Sequence, residues 1–400
     1  MPRSLLTLLP VLPLDPAGGA QRSVDEISRM LAARGWRCST LATTLTDSTT
    51  PTDLAALLDA RGVKPHIDRS SIGTVYRFHD GQVDYTLLDL PGVSRAQWPI
   101  EPDPRFDRLL ETTLRAAKPD VVHTFGASPI ERQRQALCRR HGAAVVMALR
   151  THNYYHPAAF EHADGVLTCS RFLTDRYRNQ IGIESTPLPV PIDWPSTIAP
   201  EHDPVFITYV NPSLEKGVLF FARFADELAS RRPDLPMLVF ESRGTAGELL
   251  AAGATGGLDL RRHPSLMLSP SVPRARDIFA AARVLLVPSC LEEPAGRVIA
   301  EALVNGIPPL VANRGGMPEV AGAGGIVLPL PDDYTPTSRT LPSVAAVEPW
   351  IDRVITLCDD EAAYGAARAA ARAEAELWLP ERLATLYDDY FSSIRRRGAP

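Results

Sequence analysis

Two glutamates with seven residues between them, Glu293 and Glu301, stand inside VLLVPSCLEEPAGRVIAEALVNGIPPLVANRGGMPEV, residues 284 to 320. Ionised carboxylates accept hydrogen bonds from hydroxyls, so two in this spacing suit a polyhydroxylated ligand. Gly296 and the pair Gly315-Gly316 precede segments that read as helices. Glycine lets the backbone approach a ligand closely, and a helix start offers unpaired N–H groups with a partial positive charge. That part of the stretch suits a diphosphate.

The surrounding pattern supplies the elements to position these groups. Val284-Leu285-Leu286-Val287 is a short apolar run ending at Pro288, which reads as a parallel strand buried on both faces. A helix follows in which Val298, Ala302 and Leu303 share one face and Glu301 lies on another, and Asn305-Gly306 closes it as a left-handed cap. Pro309 to Ala312 is a second buried strand, and a short helix opens at Pro318-Glu319 after the glycine pair. In an open α/β sheet ligands bind outside the carboxyl ends of the strands, where both loops fall.

At these residues the chain resembles the retaining nucleotide-sugar glycosyltransferases of family 4. The resemblance rests on Pro288-Ser289, Glu293, Gly296, Glu301-Ala302, Gly306-Ile307-Pro308 and Gly315-Gly316-Met317-Pro318-Glu319, all in register. It implies an α/β GT-B fold, with two Rossmann-like domains facing across a cleft. The expected division is residues 1–195 for the acceptor domain, 196–378 for the nucleotide-sugar domain, and 379–400 for a helix crossing back to the first.

Composition bounds the reading. The 400 residues suffice for two or three domains, and 45% hydrophobic with 22% charged residues is the balance of a globular protein. A net charge of -5 argues against nucleic acid as the main partner. The five cysteines are odd in number and widely spaced without a CxxC pair, which disfavours a disulfide framework or zinc site and fits a reducing, cytoplasmic setting. Leu5 to Leu14 is broken by Pro10 and Pro13 and leads into an amphipathic helix, so it reads as a core strand and not a leader.

In chain order, Ser4 to Leu9 reads as the first strand, Pro16-Ala17-Gly18-Gly19 as a turn, and Gln21 to Arg34 as a helix. The resemblance implies that Gly18 and Gly19 face the donor phosphate or the acceptor. Residues 44 to 100 are less regular, apart from a hairpin of 75–78 and 83–88 around Asp80-Gly81. Pro104 to Ala117, a strand at Val121 to Phe125, a helix at Glu131 to Arg140 and a strand at Ala143 to Leu149 follow. The family often has His-x-His at the end of that first strand; here His123 is present and Phe125 replaces the second histidine. Arg150-Thr151-His152-Asn153-Tyr154-Tyr155-His156 is a polar and aromatic loop at a strand end, a placement that often carries function. Arg150 and His152 are the acceptor-binding candidates. Asp164 to Ser170 adds a strand with Ser170 as N-cap, and Pro187, Pro189, Pro191 and Pro195 form a stiff connector.

The second half opens with a strand at Val205 to Val210, the loop Asn211 to Gly217 and a helix from Val218 to Ser230. The family strand usually ends in Gly-Arg and its loop in Lys-Gly, the two cations gripping the diphosphate. Lys216-Gly217 fits, Asn211 stands where the arginine would be, and an uncharged amide cannot make that bidentate grip. Arg243 and Arg297 are the candidates to compensate. Ser265 to Ser271 is where the resemblance puts a nucleobase-stacking loop. Helices are expected at Arg274 to Ala282, Glu348 to Cys358, Glu361 to Leu377 and Glu381 to Arg397, a strand at Ile326 to Leu328, and an irregular insertion from Asp332 to Pro342. The last helix shows an apolar face of Leu383, Leu386, Tyr390 and Ile394, and ends in Arg395-Arg396-Arg397, with membrane contact at most peripheral.

The resemblance implies transfer of a sugar from a nucleotide-diphosphate sugar to an acceptor small molecule, glycan or lipid-linked precursor, with the anomeric configuration retained and no metal or other cofactor. Glu293 would hold the donor sugar and Glu301 the ribose. Lys216 and the helix starts at Gly296 and Gly316 would stabilise the leaving diphosphate. His123 and His152 complete the catalytic candidates. Three alternatives stay open: a nucleotide-sugar epimerase, a glycan phosphorylase, and a binding protein without catalysis.

Overall fold

In the computed structural model, residues 3–15, 18–46, 53–90 and 103–397 are described. The chain divides into two compact units, one made of residues 1–191 and 380–400 and the other of 192–379. Each is a twisted sheet flanked by helices.

The sheet of the first unit is built from β1 (Ser4–Leu8), β2 (Arg37–Thr43), β3 (His66–Ser70), β4 (Gly73–Asp80), β5 (Val83–Leu88), β6 (Val121–Phe125), β7 (Ala144–Ala148), β8 (Gly165–Thr168) and β9 (Thr186–Pro187). Their order is β3-β4-β5-β2-β1-β6-β7-β8-β9. From β5 to β9 the pairing is parallel, and β3-β4-β5 is an antiparallel extension at one edge. β1, β6 and β7 are buried at every residue, as expected of strands covered on both faces. The hairpin pairs Asp80 with Val83, so its two-residue loop is Gly81-Gln82, one position later than the expected Asp80-Gly81 pair, with Gly81 at φ 64 in the first loop position.

The second unit holds β10 (Phe206–Val210), β11 (Met237–Phe240), β12 (Leu266–Ser269), β13 (Ala282–Val287), β14 (Pro309–Ala312) and β15 (Ile326–Leu328). All pairs are parallel, in the order β12-β11-β10-β13-β14-β15. The order reverses between β10 and β13, which makes the carboxyl ends of those two strands the switch point where ligands of such sheets bind.

Several elements depart from the sequence expectations. β2 and β3 were not foreseen: β2 is mostly polar, with Ser39, Thr40 and Thr43, and it is the sheet position beside β1 that makes it a buried strand. Ser265 to Ser271 is not a loop but holds β12, an edge strand paired with β11. The helix expected at Arg274 to Ala282 is Ala275–Phe279, and Ala282 already belongs to β13. On the last helix, Pro380–Ser393, the buried positions are Leu383, Tyr387 and Phe391, with Leu386 and Tyr390 half-exposed. That stripe packs on the helix Gly19–Ala33 within the first unit, and Arg3 adds a hydrogen bond of 2.9 Å to the Phe391 carbonyl. Pro16 and Ala17 of the expected glycine turn lie outside the described residues; Gly18 is the N-cap and Gly19 the first residue of the helix.

Candidate functional site

Three loops meet at the carboxyl ends of β10, β13 and β14. The loop after β10 is carried by Glu215, whose carbonyl accepts hydrogen bonds of 3.2 Å from the backbone N–H groups of Cys290 and Leu291 after β13. Tyr209, a β10 residue, donates its hydroxyl to the Lys216 carbonyl at 3.0 Å. Gly217 has φ 84 and caps the helix Val218–Arg231; a side chain there would overlap the Pro288 carbonyl. Lys216 is thereby presented to the β13 loop.

The Lys216 ammonium donates to Glu293 Oε1 at 2.7 Å, and the Ser289 hydroxyl donates to the same oxygen at 2.5 Å. Glu293 is 8% exposed, and burial alone would raise its pKa. The Lys216 charge, the two hydrogen bonds and the nearby Arg243 outweigh burial and hold the carboxyl below its ordinary value. Arg243, exposed in the loop after β11, makes no hydrogen bond or ion pair of its own among the described residues.

The β14 loop secures Glu293 from the other side. The Gly316 N–H donates to the Glu293 carbonyl at 2.7 Å, and a Cβ on Gly315, at φ 59, would lie 2.5 Å from that carbonyl oxygen. This corrects the expected role of the pair: the Gly316 N–H is engaged by Glu293 and does not await a phosphate. Arg314 ties the same loop to the carbonyls of Cys290, Tyr334 and Pro331.

Gly296, at φ 86, starts the helix Arg297–Val304. One turn on, Glu301 is 7% exposed, and its Oε1 accepts from Arg297 Nε at 2.8 Å. The sequence pattern put Glu301 on a different face from Val298, Ala302 and Leu303, and that face too is buried at Glu301. Asn305 ends the helix, donating to the carbonyls of Glu301 at 2.8 Å and Thr197 at 3.0 Å. Asn211 is the one site candidate outside glycine at positive φ, 65, and its Oδ1 accepts from the Gly244 N–H at 2.7 Å. It joins the loops after β10 and β11. Glu293, Lys216, Arg243, Gly296, Arg297, Glu301, Gly315 and Gly316 thus share one end of one sheet.

The first-unit candidates are placed differently. His123 lies in the middle of β6 with no exposure, edge-on to Phe391 at 5.2 Å, and neither ring nitrogen has a hydrogen-bond partner. Burial, aided by the Arg150 charge, pushes its pKa down to about 3, so it is neutral. A catalytic histidine must reach a reacting atom, and this one faces the core. The three guanidinium nitrogens of Arg150 are shielded from solvent beside the Tyr387 hydroxyl and the Cys169 thiol. His152 is half-exposed, 3.2 Å from the Tyr155 hydroxyl and edge-on to Phe172. Gly18 and Gly19 begin the first helix, with the Gln21 side chain filling the place of a Cβ on Gly18. Sequence reasoning assigned no role to Ser289 or Arg314; Ser289 carried a signal, standing four residues before Glu293 in the matched motif, and Arg314 carried none.

Comparison with known proteins bears on the family and the fold. The family described as Glycosyltransferase Family 4 matches residues 17–191, and that described as Glycosyl transferases group 1 matches residues 203–338. No curated protein matches the chain. Among solved structures, it is similar to sucrose-phosphate synthase from Thermosynechococcus elongatus at 17% identity and TM-score 0.66, covering 98% of this chain and 100% of that one. It is similar to HepE of Anabaena, solved with UDP and glucose, at 16% identity and TM-score 0.64, covering 97% and 99%. The pneumococcal O-GlcNAc transferase GtfA, solved with UDP and GlcNAc, matches at 12% identity and TM-score 0.64, covering 98% and 99%.

Proposed function

We propose, from the premise that this chain belongs to the family 4 glycosyltransferases and shares their GT-B fold, that it transfers a sugar with retention of anomeric configuration and without a metal. It is a nucleotide-sugar glycosyltransferase. The observation that carries the finer reading is the Lys216 ammonium on Glu293 at the β10–β13 switch point, with Arg243 beside it. One cation and one carboxylate meet there within 2.7 Å, as a ligand with a diphosphate next to a sugar requires.

In this reading Lys216, Arg243 and the Gly296 helix start receive the diphosphate, Glu293 the donor sugar hydroxyls, and Glu301 the ribose. Charge develops on the leaving phosphate oxygen as the bond to the sugar C1 breaks, and the two cations, Lys216 drawn from Glu293 and Arg243, stabilise it. The acceptor oxygen bonds to C1 on the same face, and its proton passes to the departing phosphate oxygen, so no protein base is consumed. Lys216 and Arg243 supply the charge that a divalent cation would otherwise bring. The two neighbours solved with UDP make a uridine donor the first to test. Five unpaired cysteines support a reducing compartment, the cytoplasm.

The experiment is thermal stabilisation by UDP, GDP, ADP and CDP, each with and without magnesium, followed by NMR of the product's anomeric configuration. A diphosphate at 100 times its dissociation constant stabilises by about 2.7 kcal/mol. Stabilisation by one diphosphate, indifferent to magnesium and lost in Lys216→Ala, is the expected result. An inverted product would overturn the retaining assignment, and a strict magnesium requirement would overturn the metal-free one.

A further inference from the structure

Glu293 is held in an asymmetric way. Both its hydrogen-bond donors, the Lys216 ammonium at 2.7 Å and the Ser289 hydroxyl at 2.5 Å, use Oε1, while Oε2 has no partner among the described residues. Oε2 is therefore the oxygen available to a ligand hydroxyl. The two donors are unequal in another respect. Lys216 sits on a flexible stem with its side chain 30% exposed, and a diphosphate competes for its charge. Ser289 is 1% exposed on the short segment leaving β13, four residues before Glu293, and its hydroxyl has no other acceptor among the described residues.

We propose that Ser289 is a positioning residue for donor-sugar recognition: it retains the Glu293 carboxylate, with Oε2 presented, when Lys216 is drawn to the donor diphosphate. The inference rests on the donor-site reading above. Backbone and side chain of Glu293 are then secured separately, the carbonyl by the Gly316 N–H at 2.7 Å and the carboxylate by Ser289. Without the hydroxyl, a carboxylate released by Lys216 would be buried without a fixed donor, and it would follow the lysine or turn aside. The charged groups acting on Glu293 are Lys216 from the loop after β10 and Arg243 from the loop after β11. Neither is on its own segment, so Ser289 is the local restraint.

The test compares wild type, Ser289→Ala and Ser289→Thr by calorimetric titration with UDP, GDP and ADP and with UDP-glucose, GDP-mannose and ADP-glucose. The quantity read is the affinity for a nucleotide sugar relative to its own diphosphate. Ser289→Ala should lower that ratio about 10-fold or more, the range of a hydrogen bond to a charged group, while leaving diphosphate affinity within about twofold. Ser289→Thr, which keeps the hydroxyl, should restore it. Removing a donor that favours the ionised carboxylate also moves the acid-side loss of nucleotide-sugar affinity to higher pH in Ser289→Ala. A merely structural serine would weaken diphosphate and nucleotide sugar together, and that result overturns the inference. So does an unchanged ratio. Wild-type protein that binds none of the six ligands overturns the donor-site reading, and this inference with it.

Discussion

The placement of His123 has a measurable consequence for stability. Its imidazole titrates at about 3 in the folded chain against an ordinary value of 6.5, because the charged form would be buried in β6 beside Arg150. Between those two values the unfolded chain binds a proton that the folded chain refuses. Its stabilising contribution is therefore complete above pH 6.5 and is lost progressively as pH falls from 6.5 toward 3. At pH 5 the unfolded histidine is about 1.5 units below its pKa and the folded one is still neutral, so the loss relative to pH 7.5 is about 2 kcal/mol. His123→Leu removes that titration and leaves the other groups in place. The assay is hydrogen exchange of the peptide containing Val121–Phe125 under graded denaturant at pH 7.5 and pH 5, which reports the opening of this unit alone. Wild type should lose about 2 kcal/mol more than the variant between the two pH values. Equal losses would refute the neutral, core-facing histidine. A variant that holds its exchange protection but loses donor turnover by orders of magnitude would refute it from the other side and restore His123 to the catalytic set.

Other substitutions separate placement from chemistry. Asn211→Arg restores the residue type of the related loops, yet it puts a larger side chain at φ 65 and removes the acceptor of the Gly244 N–H; a cost of about 2 to 3 kcal/mol is expected, read as a lower melting temperature without a gain in diphosphate affinity. Gly315→Ala places a methyl 2.5 Å from the Glu293 carbonyl and should abolish nucleotide-sugar binding, whereas Gly19→Ala, with open space around its Cβ, should leave it intact. Glu301→Ala should weaken every nucleotide diphosphate by about 10-fold or more through the lost acceptor, and titration at wild-type affinity would remove the ribose assignment.

Much of the second unit was legible because its signals are local. A buried parallel strand needs a continuous apolar run, a left-handed turn favours glycine, and a helix start needs a backbone free to bend. Val284–Val287, Gly296 and Asn305-Gly306 express these needs within a few residues of one another. β2 was not legible for the opposite reason: its polar residues gain a strand's hydrogen bonds only because β1 and β5 lie on either side. The stripe of the last helix was misread by one position, Tyr387 and Phe391 being buried in place of Leu386 and Tyr390, because apolar residues on both flanks satisfy a helical period equally well.

The sequence by itself determined the chemistry that could be done here, two carboxylates, a lysine and the glycines around them, since residue type and spacing along one or two elements are properties of the chain. What only the tertiary structure decided is which groups meet. Lys216 and Glu293 are 77 positions apart and joined at 2.7 Å, Gly316 spends its N–H on Glu293, and His123 turns inward to Phe391. The first of these follows from strand order: β10 and β13 become neighbours although β11 and β12 lie between them in sequence, and no local pattern encodes that adjacency.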